Sequence, residues 1–593
     1  MVHGENKLTE FDYNRYYQSA QEDIMGLIQE YPFTKRVITP SVIPEPIILN
    51  VVAVNIGLIG ECNAQENDFK LKNKSNDIEY DVRNEKTETT ANDTVSKSYE
   101  ENISYVRNRF NVPINNDIVI RELVLKEGRK AFIVFIDGMV STDMVDLAII
   151  KTLLEIPYFS DDKIYSYETE IIDRFIAHSQ AITTNSMDTI FEEVNFGGCA
   201  VFVDGFSKGF SLDVREWGTR SIGKPENEQS IYGPQEAFAE MLRNNTALVR
   251  KIIKSEKLIA EGIKIGSVSK TRGVILYISD IANSDMVDEV RRRLNSINLQ
   301  YVIAIEEVAM MLEDKTFSLT SHIFATERPD RAARALTEGR VVLILNGSPR
   351  ALIMPTNAFE LTHAVSDDYL RVPYANMSRI IRMLAMFFSI LLPGLYLAIT
   401  LFHQEIIPTY LLYSISAARE NVPFPSIVEF LLMDISFEMI REAGIRMPNP
   451  IGSTLGIVGG LILGQAAVSA KIVSPIMIII IAITGIGSFA TSDYSLSWGY
   501  RILKLVFIAL AAVMGFYGIA IGIFIYSLYV AKQTSFGIPY LSPIPKVNNR
   551  SMTNSIFENP IWKKEYRPDF LKTKKNAEEP KISRNWKIKK NTR

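Results

Sequence analysis

Residues 380–402, IIRMLAMFFSILLPGLYLAITLF, decide how the rest of the chain is organised. This stretch of 23 residues carries one charge, Arg382, near its start. About 20 apolar residues, each rising about 1.5 Å, are enough for a helix to cross a bilayer. The Pro393-Gly394 pair would weaken a soluble helix, but membrane helices tolerate such breaks where neighbouring helices satisfy the freed backbone groups. The sequence therefore predicts a membrane-spanning helix here.

Three more apolar runs follow, at 454–470, 472–490 and 503–530, whereas the chain before residue 380 is polar and charged. One such run is compatible with a buried core helix, but four in one half of a chain are hard to bury in water. The predicted fold class is therefore α/β plus membrane α-helical, with a soluble front half and a multi-pass transmembrane domain at 380–530 of about four spans.

Composition excludes several functional classes. A net charge of -4 argues against nucleic-acid binding, and two cysteines with five scattered histidines form neither a disulfide framework nor a metal site. No Walker loop, GxGxxG or catalytic constellation stands out, so we expect no enzymatic activity and no cofactor. The N-terminus lacks the basic start and apolar core of a signal peptide, so we expect the soluble half to be cytoplasmic.

The first hundred residues divide into two segments. Residues 1–60 combine a polar amphipathic helix with the run PIILNVVAVNIGLIG, which is short for a membrane span. Residues 61–100 are almost entirely polar and cannot bury enough surface to offset the entropy of ordering, so they are predicted to be a disordered linker.

An internal repeat organises the next 270 residues. AFIVFIDGMVSTDMVDLAIIKTLLE, from Ala131, aligns with GVILYISDIANSDMVDEVRRRLNSI, from Gly273. GCAVFVDGFSKGFSL, from Gly198, aligns with RVVLILNGSPRALIM, from Arg340, at the same offset of 142 residues. Strands alternate with helices in each unit, which is typical of α/β domains. Two related α/β subdomains are therefore predicted, roughly at 101–224 and 230–368.

Polar turns follow the most apolar strands of this repeat. They hold Asp137, Asp204 and the Asn346-Gly347 pair. In open α/β sheets ligands often bind beyond the carboxyl ends of the strands, which makes these turns candidate sites. The alternative is that Asp-Gly and Asn-Gly simply form turns, since glycine adopts positive φ at little cost.

Acidic residues in the helical half form the second set of candidates. Asp434, Glu438 and Glu442 recur every four residues and so share one face of a helix, and Glu429, five residues before Asp434, is a further candidate. Such a row, repeated around an oligomeric ring, would attract cations, and Pro393 and Gly394 are candidate gating positions. The alternative is an amphipathic helix whose acids pair with Arg441 and Arg446.

Charge also predicts the topology. The tail at 546–593 holds 14 basic and 5 acidic residues, which places it in the cytoplasm. An even number of spans then keeps the soluble half on the same side, with Lys471 in an inside turn. The segment at 405–450 would lie outside or form a re-entrant helix. Glycines at 456, 459, 460 and 464 favour close helix packing, either within one chain or in a homo-oligomer.

Several long motifs carry a family resemblance over roughly residues 100–546. They include ATERPDRAARALTEGRVVLILNGSP, LLPGLYLAITLFHQEIIPTYLLYSISAARENVPFP, EMIREAGIRMPNPIGSTLGIVGGLILGQAAVSAKIVSP and SFGIPYLSPIP. In this order they resemble the A subunit of the spore germinant receptors, the GerA family.

The resemblance implies a multi-pass protein of the inner spore membrane that acts with a transporter-like B subunit and a lipoprotein C subunit. It further implies that the complex senses a small nutrient, which binds either a partner subunit or this one. It also implies that the A subunit oligomerises into an ion-conducting pore. Two alternatives stay open from the residues alone: a non-conducting membrane scaffold, and a secondary transporter of the nutrient. Transporters often carry inverted repeats in their membrane region, whereas the repeat here lies in the soluble half.

Overall fold

The computed structural model describes residues 94–155, 181–216, 223–446, 459–460, 462–544 and 556–578. The chain divides into two units at residue 87, and all of the first unit lies outside the described residues, as does the linker up to residue 93. Val95 is already buried and helix α1 spans Tyr99–Arg109. Folded structure therefore begins a few residues before the predicted boundary at 101.

Two five-stranded sheets form the soluble half. The first has the strand order β1-β2-β4-β5-β3 and the second the order β6-β7-β9-β10-β8, which is the same arrangement counted from each first strand. The strands are β1 Ile118–Val124, β2 Lys130–Ile136, β3 Ala181–Thr184, β4 Cys199–Val203, β5 Gly209–Leu212, β6 Leu258–Ile265, β7 Thr271–Ile278, β8 Phe324–Thr326, β9 Val341–Leu345 and β10 Ala351–Met354. The repeated motifs occupy equivalent strands, β2 with β7 and β4 with β9.

The apolar runs form central strands because both sides of each sheet are covered. On β2, Ile133 and Phe135 pack into one core cluster, while Phe132 and Val134 pack into the cluster on the opposite side. A strand buried on both faces reads as a continuous apolar run rather than an alternating one.

Helices cover these faces. Helix α2 consists of three consecutive segments, Thr142–Met144, Val145–Ile150 and Lys151–Glu155. The others are α3 Met187–Asn195, α4 Leu242–Ile252, α5 Ser284–Ser296, α6 Ile305–Leu312 and α7 Pro329–Glu338.

Every strand pair in the described sheets is antiparallel. The carboxyl ends of neighbouring strands therefore do not meet on one side of the sheet, as the candidate site at the strand ends assumed. Neighbouring antiparallel strands end at opposite edges of a sheet. Asp137 follows β2 and Asp204 follows β4, and these two strands are paired neighbours. The two turns are therefore separated by the length of the strands, and they do not form one binding site.

Arg250 joins the two sheet domains. Its side chain, on α4, is 1% exposed and donates to the Asp117 carboxylate at 2.5 and 2.8 Å and to Asn115 Oδ1 at 3.1 Å. The amide of Ala260, in β6, also donates to Asn115 Oδ1 at 2.9 Å. The buried guanidinium of Arg250 thus binds Asn115 and Asp117, which precede the first sheet, and the Leu258 carbonyl in β6 of the second sheet.

The helical half begins with the short helix α8, Ser366–Tyr369, and continues with α9 Val372–Phe402, α10 Thr409–Arg419, α11 Ser426–Arg446, α12 Pro475–Phe489 and α13 Tyr494–Ala531. Among the described residues, Val372–Phe402 and Ser495–Ala531 are long and apolar enough to cross a membrane, and Pro475–Phe489 is a shorter apolar helix. The first contains the predicted run at 380–402.

Helix α13 reverses direction at Gly515, whereas the sequence predicts one span over 503–530. Gly515 has φ 58° and ψ -134°, which interrupts the helix and suits a residue without a side chain. Beyond it the chain returns along itself, since a Cβ built on Gly522 would lie 2.8 Å from the Phe507 ring. Leu496 and Val530, at the two ends, pack into one core cluster with the second sheet. We call the two halves the outgoing and returning arms.

The remaining helices differ in their direction relative to the second sheet. Arg382, near the start of α9, donates to the Thr362 carbonyl at 2.9 Å, whereas His403 at its other end accepts from the Phe516 amide at the α13 reversal. Helices α11 and α12 lie side by side in parallel and run back towards the sheet.

Lys471 precedes α12, and so it lies at the end of the bundle remote from the sheets. The prediction put this residue on the same side as the soluble half, whereas the structure puts it at the opposite end of the helical region from the sheets. The reason is that α11 crosses the bundle as an additional helix.

A segment of the tail, 556–578, covers the junction between sheet and helices. Glu558 pairs with Arg379 of α9 at 2.7 Å, and the Arg567 guanidinium donates to the Thr337 carbonyl at 2.6 Å. Beneath it lies a polar cavity of about 650 Å³ whose wall includes His363. Desolvation lowers the pKa of the His363 imidazole well below 6.5, and the neighbouring Arg379 and Arg331 guanidinium groups lower it further.

Candidate functional site

The candidate site is a line of charged side chains along α11, inside the helical region. Asp434 accepts a hydrogen bond from Lys504 Nζ at 2.6 Å, and these side chains are 8% and 6% exposed. Lys504 belongs to the outgoing arm of α13. An acid predicted to face a pore therefore has a buried basic partner on another helix.

The next acid towards the sheets, Glu438, faces three basic groups. Its carboxylate lies 3.4 Å from the Arg441 guanidinium, 3.5 Å from that of Arg501 and 3.9 Å from Lys504 Nζ. Arg441 also donates to Ser488 Oγ at 2.7 Å, which ties α11 to α12. The charges thus form a compensated network that connects three helices.

Aromatic rings surround the guanidinium groups of this network. Arg441 lies 4.5 Å from the Phe489 ring centroid and Arg501 lies 4.3 Å from that of Trp498. Such contacts stabilise a cation where water is scarce.

The structure does not bring the whole acidic row together. Glu442, the third member, pairs with Arg446 at 2.7 Å, and both side chains are exposed. The pairs with Arg441 and Arg446 agree with the amphipathic alternative. Arg501 and Lys504 were missed by the sequence reasoning, although two basic residues three apart inside an apolar run are the signal that could have found them.

Glu429 differs from the other acids of α11. It is 0% exposed, and its Oε1 accepts from the amide of Ser474 at 3.1 Å and from the hydroxyl of Ser474 at 2.7 Å. Ser474 caps the N-terminus of α12. Glu429 therefore joins the start of α11 to the start of α12.

Pro393 and Gly394 lie inside α9 and are buried. A Cβ built on Gly394 would lie 3.2 Å from the Phe507 carbonyl oxygen in the outgoing arm of α13. The missing side chain thus allows α9 and this arm to pack closely. Their role as gating positions stays a prediction.

The turns of the sheet domains make structural contacts. Asp137 forms an ion pair with Arg243 at the start of α4, and Asn346 Oδ1 accepts from the Leu242 amide at 3.2 Å. Gly347, with φ 90°, donates its amide to the Glu240 carbonyl at 2.7 Å. Two of the predicted turns therefore meet at the first turn of α4, one from each sheet.

Asp204 lies elsewhere and accepts from the Tyr99 amide at 3.2 Å. It thereby binds the beginning of α1, at the opposite end of the β2–β4 pair from Asp137. Whether any of these turns binds a ligand stays a prediction.

Comparison with known proteins identifies the family. The family model described as Bacillus/Clostridium GerA spore germination protein matches residues 104–570. This chain belongs to the GerA spore germination family. The match covers both sheet domains, the helices and most of the tail segment, and it confirms the resemblance found in the sequence motifs.

Relatives of the GerA family match over most of their length. Spore germination protein KA of Bacillus subtilis is 35% identical, with 83% of this chain and 90% of that protein covered. The uncharacterized membrane protein YfkQ of the same organism is 37% identical, over 76% of this chain and 88% of that protein. Spore germination protein A1 of Bacillus subtilis is 34% identical, over 76% and 92%.

A solved structure also matches. It is the N-terminal domain of the A subunit of the Bacillus megaterium spore germinant receptor GerK3, at 26% identity and a TM-score of 0.34. The match covers 44% of this chain and 95% of that one.

Proposed function

We propose that this GerA-family chain is the A subunit of a nutrient germinant receptor, and that its helical region forms or gates an ion-release pore as a homo-oligomer in the inner spore membrane. Its partners would be the transporter-like B subunit, the lipoprotein C subunit and membrane lipid. The nutrient would act through a partner subunit or on this one. The relatives named as spore germination proteins support the role in germination.

The buried Asp434 and Lys504 pair carries the pore proposal. Ionisable side chains inside membrane helices are costly and generally mark ion paths or proton relays. In the present conformation, Asp434 and Glu438 are compensated by basic groups within the same chain. The acids are therefore not free to attract cations. We propose that this network is a closed gate, and that opening separates α11 from the outgoing arm of α13.

The helix directions support a topology with six crossings. These are α9, α11, the predicted run at 454–470, α12 and the two arms of α13. The number is even, so the sheet domains and the tail would lie together in the cytoplasm, as the basic tail requires. Lys471 and the reversal at Gly515 would then face the opposite side.

Cysteine labelling tests this topology. Single cysteines at Lys471 and Tyr517, in a background without Cys62 and Cys199, should react with a membrane-impermeant maleimide from outside. A cysteine at Ser492, whose hydroxyl donates to the Leu361 carbonyl of the second sheet domain, should not. Labelling of all three positions from one side would reject the six-crossing arrangement.

Ion flux tests the pore. Purified protein in liposomes, alone and with its partner subunits, is expected to release cations when a candidate nutrient is added. The variant Asp434→Asn, Glu438→Gln, Glu442→Gln should change the rate or the selectivity of release. Glu442→Gln alone is the matched control, because its partner Arg446 is exposed, and it should behave as wild type.

The compensated network is also compatible with the scaffold alternative, in which the charges only hold the helices together. A correctly inserted and assembled complex without conductance would favour that alternative. Normal insertion of the triple variant with unchanged flux and selectivity would remove the acidic row from the pore proposal.

A further inference from the structure

A carboxylate that has no counter-ion within 4.0 Å among the described residues lies at the end of the helix bundle remote from the sheets. Glu429 is fully buried, and Ser474 satisfies only its Oε1. Its Oε2 has no hydrogen-bond partner in the described part of the chain. Within that part, no lysine or arginine nitrogen lies within 4.0 Å of it. An ionised carboxylate in such surroundings is costly unless another group binds to it.

The other acids on the same helix make the contrast clear. Asp434, Glu438 and Glu442 each have a basic side chain within 3.5 Å. Helix α11 therefore carries three compensated carboxylates and one that is not compensated. Glu429 differs from the other three acids in the side chains that surround it and not in its residue type.

Two further hydroxyl groups near Glu429 are buried and have no hydrogen-bond partner among the residues that the structure describes. Ser426 is 1% exposed and lies one turn before Glu429 on the same face of α11, and its Oγ has no hydrogen bond. Tyr396 of α9 is 9% exposed and lies beside Ser474 and within electrostatic reach of Glu429, and among the described residues its hydroxyl makes no hydrogen bond of 3.5 Å or less. A buried polar group that stays unsatisfied is costly, so a ligand that satisfies all three is favoured.

The donor set identifies the class of ligand. It consists of oxygens only, with one full negative charge, which suits a hard cation. A single carboxylate supplies too little charge to hold a divalent ion that has lost its water. Arg419, whose buried Nε has no hydrogen-bond partner in the described ranges, adds a positive charge near Tyr396. This charge would weaken cation binding and keep the ion exchangeable, as a permeant ion requires.

We propose that Glu429 Oε2, Ser426 Oγ and Tyr396 Oη form a binding site for a monovalent cation such as Na⁺ or K⁺. The site lies near the start of α11, and the compensated network around Asp434 and Glu438 stands between it and the sheet domains. Only the role of the site, which is to hold an ion at the outer end of the pore, rests on the proposed function. Binding itself does not require conduction.

The test uses the full-length protein in lipid nanodiscs. Radioactive Na⁺ or Rb⁺ binding and the thermal midpoint are measured against choline chloride at constant ionic strength. Wild type should bind a cation and be stabilised by it. Glu429→Gln should weaken binding about tenfold or more, and the milder Tyr396→Phe and Ser426→Ala variants should weaken it by smaller factors. Glu442→Gln, the matched control, should bind as wild type.

The outcomes separate this site from the pore. Cation binding that depends on Glu429, in a protein that never conducts, would support the site and reject the pore. Absence of cation-specific binding by wild type would overturn the site, as would full binding by Glu429→Gln. In either case a water molecule would be the better occupant of the space between the three oxygens.

Discussion

The Lys504 ammonium group donates a hydrogen bond to the Asp434 carboxylate at 2.6 Å, and both side chains are almost completely removed from solvent. The pair connects α11 to the outgoing arm of α13. Removing one member of a buried pair leaves the other as an uncompensated charge, which typically costs about 3–5 kcal/mol. Replacing both members with apolar residues of similar volume is often neutral or stabilising.

We therefore expect Asp434→Asn and Lys504→Met each to lower the free energy of unfolding by about 3–5 kcal/mol. The double variant Asp434→Leu, Lys504→Met should recover most of that loss. Unfolding of the purified protein in detergent measures both effects. Glu442→Gln, which removes an exposed pair, should cost at most about 1 kcal/mol. Single variants as stable as this control would contradict a closed, dry contact.

A stable double variant also gives a functional test of the gate. If the pair holds the helices in the closed state, its removal should allow cation release without the nutrient. Release that still depends on the nutrient in the double variant would show that the gate lies elsewhere.

Arg250 is expected to contribute as much to the stability of the sheet domains as the Asp434–Lys504 pair contributes to that of the helical region. Arg250→Met leaves the Asp117 carboxylate buried without its partner, and the expected loss of stability is about 3–5 kcal/mol. Lys251, the next residue, pairs with Glu236 where both side chains are about one-third exposed, so Lys251→Met should cost at most about 1 kcal/mol. Chemical unfolding followed by a probe in each sheet domain measures both. Equal effects of the two variants would show that the joint does not depend on this guanidinium.

The repeat could be predicted from the sequence because strands buried on both faces leave continuous apolar runs. The two aligned pairs, Ala131 with Gly273 and Gly198 with Arg340, also share one offset. The direction of the strands could not, since apolar runs are typical of parallel and antiparallel central strands alike. The reversal at Gly515 was missed because glycine is common in membrane helices, so the run at 503–530 looks like one span. The partner of Asp434 lies 70 residues along the chain, and no local pattern links the two.

The stability of the protein should fall as the pH decreases below about 6.5. In the folded state the pKa of His363 lies well below 6.5, and desolvation also lowers that of His322. The unfolded chain therefore binds more protons than the folded chain between the folded pKa values and about 6.5. Each histidine can contribute up to about 1.4 kcal/mol per pH unit in that range.

His363→Gln is the variant that checks this assignment. It should reduce the slope of unfolding free energy against pH between about 5 and 6.5, and adding His322→Gln should reduce it further. Unfolding curves at several pH values measure the slopes. A slope unchanged in the double variant would mean that carboxylates control the acid response.

Gly515→Ala should destabilise the helical region more than the same change at a glycine with free space. At Gly515 a side chain meets positive φ, and its Cβ would lie 3.0 Å from both His403 Nε2 and Phe402 Cβ. Gly347 also has positive φ, but nothing lies within 4 Å of a Cβ built there, so Gly347→Ala measures the conformational cost alone. That cost is roughly 1–2 kcal/mol, and Gly515→Ala should exceed it by a further 1–3 kcal/mol, roughly the cost of overpacking. Thermal unfolding gives the two values. Equal losses would mean that the chain accommodates a side chain at the reversal and that α9 does not pack tightly against it.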